Sequence, residues 1–414
     1  MPKHYVFAKK KKKDPSLGRI ITAICVLLAL AYGGLRLYGW LKTDVLGSDI
    51  AGSATMRLEQ AQALLAEGDT EAAAAQIDPI LDHVNDHIVT PQAILLRARI
   101  HRERGEKDQA GQLLEQAYTD YKDSPEYPHI AAEYAQYLEV SGNKGKATAI
   151  YEELRANAPP EMRAVALVSL GAQEEADGNP IAARKVYRQA VCDAEPDSEP
   201  WHTAVEALGR LNVELIFAPR ETPESKYYTV EPGDTLLGIG VKLNTTQGLL
   251  TRANGLENPE SLRPEQRLKT TPKDFRILID RSACRLYLLD SDGLFKMYRV
   301  GLGMPGYETA PGRYTIGNKQ KDPTWFKPGS EPVPPGDPRN ELGTRWMPLV
   351  PVEEGLPSDL GIHGTIEPET IGKYKSHGCP RMLKNDVEEL YDLVVRSTPV
   401  TIVESVELED IEPC

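Results

Sequence analysis

A regular spacing of glycines constrains the fold of the N-terminal half more tightly than any other feature. Within residues 56–216, where apolar residues recur at helical spacing, Gly68, Gly105, Gly142 and Gly178 follow one another at intervals of 37, 37 and 36 residues. Alanine follows each glycine by five residues and a larger apolar residue follows by nine: Ala73 and Ile77, Ala110 and Leu114, Ala147 and Tyr151, Ala183 and Tyr187. Glycine permits a turn between helices, and alanine allows paired helices to approach closely. The spacing predicts an array of helical hairpins.

This array resembles degenerate tetratricopeptide repeats, although its period is longer than usual.

The first 41 residues predict a membrane anchor. Residues 1–19 hold seven basic residues and one acidic residue, and a mostly apolar stretch then runs over residues 20–41. A stretch of about 20 apolar residues spans a bilayer, and the basic flank would stay in the cytoplasm. A cleaved signal peptide is the alternative, since Ala29-Leu30-Ala31 resembles a cleavage site. Both interpretations export the rest of the chain, so we expect the residues after 41 to lie outside the cytoplasm.

The charge and the cysteines exclude two classes of function. Residues 20–414 carry 41 basic and 60 acidic residues, which argues against binding to a nucleic-acid backbone. The five cysteines form no CxxC motif and no Cys/His cluster, so neither zinc nor a disulfide framework is expected. Cys379, which lies near histidines, is instead a candidate nucleophile. A disulfide from Cys192, Cys284 or Cys414 to Cys379 would silence it, which we state as a hypothesis.

A small module follows a proline-flanked linker at 219–223. A short alternating strand over 227–230 leads into a Pro-Gly-Asp turn at 232–234, where Asp234 or Thr235 is placed to cap a helix. Another turn begins at Asn254. Through these residues, 227–272 resemble a LysM domain, a βααβ module, with Glu265 standing where the family usually has glycine. The resemblance implies binding of peptidoglycan glycan strands, with glycan contacts expected from the following residues: Gly233, Asp234, Thr235 and Asn254.

The sequence from 273 onward is rich in predicted strands. Alternating apolar residues predict strands at 275–280, 284–289 and 295–300, and residues 309–316 predict a turn that leads into a fourth strand. A helix at 386–395 and a closing strand at 399–403 are also expected. Six prolines within 322–338 predict a long loop of the kind that covers binding sites. The acidic residues 405–414 are expected to form a loose tail.

The segments around His363 and Cys379 carry the chemistry. The chain has Gly-Ile-His-Gly-Thr at 361–365 and Ser-His-Gly-Cys-Pro-Arg at 376–381. A cysteine nucleophile needs a neighbouring base, and two histidines, His363 and His377, are available. Gly378 permits a sharp turn whose amides can face an oxyanion, and Arg381 offers a fork of donors suited to a carboxylate. The residues alone do not rank the two histidines.

These segments resemble the catalytic domain of L,D-transpeptidases of the YkuD type. Further matching residues follow in family order at 310–314, 371–372, 386–391 and 398–400, so that the resemblance covers 274–404. It implies a mostly-β domain in which Cys379 is the nucleophile and His363 the general base, oriented by the backbone carbonyl of Gly364 or Thr365. His377 would assist, and Ser376 would support the loop. For Tyr314 and Trp346, two positions are equally expected, the lining of the cleft and the core. Proline at 380 departs from the family and removes one amide after the nucleophile.

The resemblance also implies a reaction. The cysteine would take the acyl group of a peptidoglycan tetrapeptide stem, release D-Ala, and pass the acyl group to an amine to form a 3→3 cross-link, without metal or organic cofactor. Two alternatives remain open: an L,D-carboxypeptidase or cross-link hydrolase that uses the same cysteine, and a non-catalytic glycan-binding scaffold. The helical array would either bind a protein partner or act as a spacer.

Overall fold

The computed structural model describes residues 46–258, 260–326, 329 and 331–411. The predicted basic tail 1–19 and membrane anchor 20–41 lie outside these residues, as does Cys414. No helix among the described residues is both long enough and apolar enough to cross a bilayer. The chain divides into two compact units, Met1–Ile150 and Tyr151–Cys414.

Nine α-helices make up the N-terminal part of the described chain. They are, in order, α1 (Leu46–Ala66), α2 (Thr70–His83), α3 (Val89–Glu103), α4 (Lys107–Asp120), α5 (Tyr127–Val140), α6 (Lys144–Asn157), α7 (Pro160–Ala176), α8 (Pro180–Asp193) and α9 (Glu199–Phe217). Local sequence sets their starts: the Asp69 carboxylate accepts a hydrogen bond from Ala72 N (2.9 Å), and Ser198 caps α9 in the same way. Prolines stand in the first turn of α7, α8 and α9, where their missing N–H costs no helical hydrogen bond.

The predicted hairpin spacing is confirmed by the helix boundaries. The four repeat glycines stand in the turns after α1, α3, α5 and α7, with φ values of 82°, 76°, 82° and 78°. This left-handed backbone favours glycine. The alanines and larger apolar residues predicted from the spacing are all buried. Membership of the tetratricopeptide family stays a prediction.

The last helix of the array belongs to the core of the catalytic half. The amide of Asn212 on α9 donates to Phe295 O (2.8 Å) on a strand of the catalytic sheet. A Cβ at Gly209 would lie 2.9 Å from the Lys296 side chain and 3.4 Å from its Cα, so only glycine permits this approach. This helix belongs to the second compact unit, which begins after Ile150. The sequence had suggested a domain boundary after residue 216, at the end of the helical repeats.

The LysM region has the predicted βααβ order. It consists of β1 (Lys226–Thr229), α10 (Leu236–Lys242), α11 (Gln247–Ala253) and β2 (Arg267–Thr270), with β1 and β2 antiparallel. The Thr235 hydroxyl caps α10 by accepting from Gly238 N (3.1 Å). Glu265, the departure from the family, has φ 67° and donates its N–H to Val230 O (2.9 Å). The turn keeps a conformation that favours glycine even though glutamate occupies it.

One mixed sheet forms the catalytic domain. Its strands are β3 (Arg276–Asp280), β4 (Arg285–Asp290), β5 (Gly293–Arg299), β7 (Gly312–Ile316), β8 (Gln320–Lys321), β9 (Arg345–Pro351), β10 (Gly361–His363) and β12 (Pro399–Val403). Seven of them follow the order β10-β9-β7-β12-β3-β4-β5, and β8 pairs with β9. A separate parallel pair joins β6 (Leu302–Gly303) to β11 (Tyr374–Ser376), and the remaining elements are a short 3₁₀ turn (Pro368–Thr370), α12 (Lys384–Leu393) and α13 (Leu408–Ile411).

The predicted strands and helix of this domain are confirmed to within a few residues, and one expectation about the tail is wrong. α13 orders part of the predicted loose segment 405–414, because Ile411 is buried in the cluster that joins α8 and α9 to the sheet. No sequence pattern predicted β9 or β10.

Candidate active site

Backbone pairing holds His363 beside the segment that directly follows Cys379. His363 is the last residue of β10, and its N–H donates to Pro380 O (3.2 Å), while Met382 N donates to His363 O (2.9 Å). The segment that follows Cys379 therefore runs parallel to the end of β10. These two hydrogen bonds fix the register between His363 and the segment after Cys379, although the two residues lie sixteen positions apart in the sequence.

A cavity of about 480 Å³ opens at this junction. Among the residues predicted from sequence, five line it: His363, Ser376, His377, Cys379 and Arg381. Its other lining residues include several that the sequence did not single out: Trp325, Phe326, Glu341 and Asp359, together with Trp346, which was one of two proposed cleft residues. Trp325 and Phe326 come from the proline-rich loop, which therefore borders the cavity as its prolines suggested. The other proposed cleft residue, Tyr314, lies in the hydrophobic core, which was the alternative position expected for it.

His363 is held as a neutral base. It is 4% exposed, and its Nδ1 lies 2.6 Å from Gly364 O. A carbonyl only accepts, so Nδ1 carries the proton and Nε2 presents a lone pair. Burial, reinforced by the positive charge of Arg381, lowers the pKa of His363 to about 4, against the opposing effect of the Gly364 and Glu341 carbonyls.

Cys379 is a protonated thiol in its resting state. Its side chain is half-buried, and burial raises its pKa, as does the nearby charge of Asp359. The Gly361 amide and Arg381 lower the pKa of the thiol but do not reverse the shift. A thiol with a raised pKa must lose its proton as it attacks, and a neutral imidazole is the group that accepts one. The pair therefore suits base-assisted attack, whereas a preformed thiolate–imidazolium pair does not fit these pKa directions.

The pH dependence of acylation follows from the pKa of His363. Since protonation of this residue would remove the base, we expect the acid limb of kcat/KM for acylation to be centred near pH 4, with the rate sustained from there to neutrality. The measurement is the acylation rate of the protein between pH 3 and 8, with circular dichroism at each pH as the control for unfolding. An acid limb near 6.5, the ordinary pKa of histidine, would contradict this assignment.

Ser376 and Gly378 form the loop before the nucleophile. Gly378 has φ 114°, and its N–H donates to the buried Ser376 hydroxyl (3.2 Å). The Gly378 carbonyl accepts from Thr309 Oγ1 (2.7 Å), a contact that the sequence did not predict. Ser376 thus has the loop-supporting contact expected of it. The Gly378 amide, expected to face an oxyanion, is instead engaged by Ser376, because this turn folds the amide back onto the hydroxyl two residues earlier.

Arg381 has a different environment from the one expected. It is 6% exposed, and its two terminal nitrogens contact Glu341 Oε2 (3.0 Å) and Glu367 Oε2 (3.2 Å). A buried guanidinium requires counter-charges, and the protein itself supplies them. The guanidinium therefore does not present a free fork in this structure, although its buried Nε has no hydrogen-bond partner among the described residues. Binding of a substrate carboxylate by Arg381 stays a prediction.

The remaining catalytic-domain predictions fall at the margin of the cavity. His377 is exposed, and its ring meets the edge of Tyr307 at a centroid distance of 5.1 Å. Gly364 and Thr365 line a neighbouring cavity of about 270 Å³. Gly364 orients His363 through its carbonyl, as expected of it or Thr365, whereas the Thr365 hydroxyl accepts from Glu367 N (3.0 Å).

The four predicted glycan-binding residues have structural contacts within the LysM region. Asp234 accepts from Tyr228 Oη (2.8 Å) and from Glu231 N (2.9 Å). The Asn254 side chain bonds both backbone groups of Lys269 (2.7 and 3.0 Å), while Gly233 has φ 91° and Thr235 caps α10. Glycan contact by these residues stays a prediction.

The described residues contain no group of three or more His, Cys, Asp or Glu side chains placed to hold a metal ion. Cys192 is disulfide-bonded, whereas Cys284 and Cys379 are free thiols. The hypothesis of a disulfide that blocks Cys379 is therefore not realised in this structure.

Comparisons with known proteins agree with this geometry. The L,D-transpeptidase catalytic domain (YkuD) family matches residues 274–402, and the LysM domain family matches 228–271. The chain is 30% identical over 192 residues to the L,D-transpeptidase-family protein YkuD of Bacillus licheniformis, covering 42% of this chain and 97% of that protein. It is also 30% identical over 180 residues to the corresponding Bacillus subtilis protein, with the same shares covered.

Solved structures show a weaker likeness. An L,D-transpeptidase from Mycobacterium smegmatis matches with a TM-score of 0.27 and 13% identity, covering 34% of this chain. The chain spans 63% of that structure's length, somewhat less than two thirds.

Proposed function

Because the chain belongs to the YkuD family of cysteine-dependent L,D-transpeptidases, with a LysM domain ahead of the catalytic domain, we propose that it forms 3→3 cross-links between peptidoglycan stems. Cys379 is the nucleophile in this proposal, and His363 is the general base. The observation that carries it is that a buried, neutral imidazole, oriented by Gly364, lines the same cavity as a half-buried thiol. His377 and Ser376 support the loop that leads to Cys379.

The first step transfers an acyl group to Cys379. His363 Nε2 takes the thiol proton while Sγ attacks the carbonyl carbon at the third residue of a tetrapeptide stem. The peptide C–N bond then breaks, the imidazolium returns the proton to the leaving nitrogen, and D-Ala departs from a thioester.

The second step releases the enzyme. An amine from a neighbouring stem attacks the thioester carbon, His363 accepts a proton from that nitrogen, and the C–S bond breaks as the thiol is reprotonated. The product is an amide between two stems, with no net oxidation or reduction. In both steps charge develops on the carbonyl oxygen. Since proline at 380 has no N–H, the Cys379 amide is the backbone donor nearest the nucleophile, and the Gly378 amide joins it only if its bond to Ser376 opens.

The test of this function is product analysis. The full chain is incubated with a defined tetrapeptide stem and an amine-bearing second stem, and the products are separated by mass spectrometry. Cross-linked dimer with equimolar D-Ala supports the proposal. Tripeptide without dimer would identify a carboxypeptidase, loss of pre-formed dimers a hydrolase, and no product a glycan-binding scaffold.

The location of the chain in the membrane and the role of the helical array are proposed from the sequence. Residues 20–41 would anchor the chain in the cytoplasmic membrane with 1–19 inside, and the LysM domain would hold glycan strands on the other side. The helical array would then set the distance to the wall or recruit a protein. The packing of α9 on the catalytic sheet supports transmission of that position to the active site, because the helix and the sheet share one core.

A further inference from the structure

A groove between the LysM module and the catalytic domain collects positive charge that the proposed reaction does not use. It encloses about 890 Å³ and is lined by α10 and α11 on one side and by β8, β9 and α12 with its flanking residues on the other. Five basic side chains line it: Arg252, Lys319, Lys321, Arg345 and Arg396. Asp392 is the one acidic residue among the described residues that line it. In a chain with a net charge of −13, such a groove favours an anionic ligand.

Two of these cations are available to a ligand. The other three have protein partners: Lys319 donates to two carbonyls at the end of α12, Arg252 pairs with Asp392, and Arg345 donates to a backbone carbonyl. Lys321 and Arg396 are exposed, and neither side chain has a hydrogen bond or ion pair with another residue in the described part of the chain. Within that part of the chain, these two side chains are the basic groups of the groove that lack a counter-charge.

The groove shares a wall with the active-site cavity. β8 pairs with β9 so that Gln320 lies opposite Trp346 and Lys321 opposite Arg345. Gln320 and Trp346 line the active-site cavity, whereas Lys321 and Arg345 line the groove. This is the alternation of a strand, whose successive side chains point to opposite faces. A two-stranded ribbon therefore separates a ligand in the groove from the site of the reaction.

The rim of the groove on the LysM side is apolar. Leu237 and Val241, four residues apart on α10, are 63% and 77% exposed. Residues at this spacing lie on the same face of a helix. A ligand that combines small apolar groups with a free carboxylate would contact both this rim and the unpaired cations.

We propose that this groove binds a peptidoglycan stem peptide through its free C-terminal carboxylate. Lys321 and Arg396 receive the carboxylate, and Leu237 with Val241 contact the alanine side chains of the stem. The position beside α10 and α11 suits a stem carried by the strand that the LysM domain holds. This inference rests on the proposed function, because it takes its ligand class from the cell-wall substrate of that function.

The test uses the full chain with Cys379→Ala, which prevents turnover. It is titrated calorimetrically with a free stem tetrapeptide and with the same peptide amidated at its C-terminus. We expect two peptides per chain for the free acid. Adding Lys321→Glu and Arg396→Glu should weaken the groove site at least tenfold, leaving one peptide per chain, because two charge-assisted contacts are lost. Arg263→Glu, an exposed charge reversal in the LysM module outside the groove, is the matched control and should leave both sites unchanged.

Three outcomes would overturn the inference. The double variant could bind two peptides as tightly as the chain without these changes, or the amidated peptide could bind both sites as tightly as the free acid. The groove could also bind a glycerol-phosphate oligomer more tightly than the peptide. The proposed function is measured separately, as acylation of Cys379 in the otherwise unchanged chain. Acylation without a groove site refutes this inference alone, and a groove site without acylation refutes the proposed function alone.

Discussion

Replacement of Cys379 by alanine is expected to abolish thioester formation with a tetrapeptide stem, lowering the acylation rate by at least about 10⁴-fold. Cys379 carries the one thiol among the described residues that line the cavity, and His363, whose tautomer is set by Gly364, lines it as well. Cys379 is only partly buried and packs at the edge of the main cluster, so we expect the fold to tolerate its replacement. The measurement is the rate of D-Ala release, with glycan binding as the readout that should not change.

Cys284 provides the matched control for this substitution. It is the other free thiol among the described residues, is buried, and lies outside the cavity, and burial raises its pKa. Cys284→Ala should therefore retain acylation at nearly the original rate. Residual turnover in Cys379→Ala that approached that of the Cys284 variant would refute the role given to Cys379.

Replacement of His363 by glutamine should lower kcat/KM for acylation by about 10² to 10⁴-fold at neutral pH, the usual contribution of a general base. The loss should shrink as the pH rises toward the pKa of the thiol, because thiolate then forms without help. Burial places that pKa above the ordinary value for cysteine, so the recovery should begin only in alkaline solution. The measurement is the ratio of variant and unchanged acylation rates across this pH range.

His377→Gln separates the two histidines, which the sequence alone did not rank. His377 is exposed and contacts Tyr307 edge-on, whereas His363 is buried with its tautomer set by Gly364. The His377 variant should lose no more than about tenfold and show no special recovery at high pH. Equal losses in the two variants would mean that the base has been misassigned.

Local patterns in the sequence were sufficient for the elements that have regular periodicity. β12 spans the predicted residues, and the four repeat glycines all adopt the backbone that a hairpin turn requires. β9 escaped prediction because Pro348 and Pro351 lie within it, and prolines argue against a strand. β10 has only three residues, too few for alternation to be visible.

The environment of the site depended on contacts that sequence patterns do not carry. Glu341 and Glu367, which pair with Arg381, lie 40 and 14 residues from it, and no local signal connects them. The motif identified the nucleophile and both histidines, but burial decides that the thiol and the imidazole are both neutral. The hydrogen bond from Gly378 N to the Ser376 hydroxyl depends on a turn that forms only in the folded chain.

The most direct way to test whether Cys379 is the nucleophile is to locate the acyl group on the protein. The full chain is incubated with a tetrapeptide stem in the absence of an acceptor, quenched in acid, digested, and examined by mass spectrometry. We predict a tripeptide acyl group on the peptide that contains Cys379, with release of one D-Ala. An acyl group on any other residue would contradict the assignment of Cys379 as the nucleophile. Release of D-Ala without an adduct, in both the unchanged chain and Cys379→Ala, would contradict it as well.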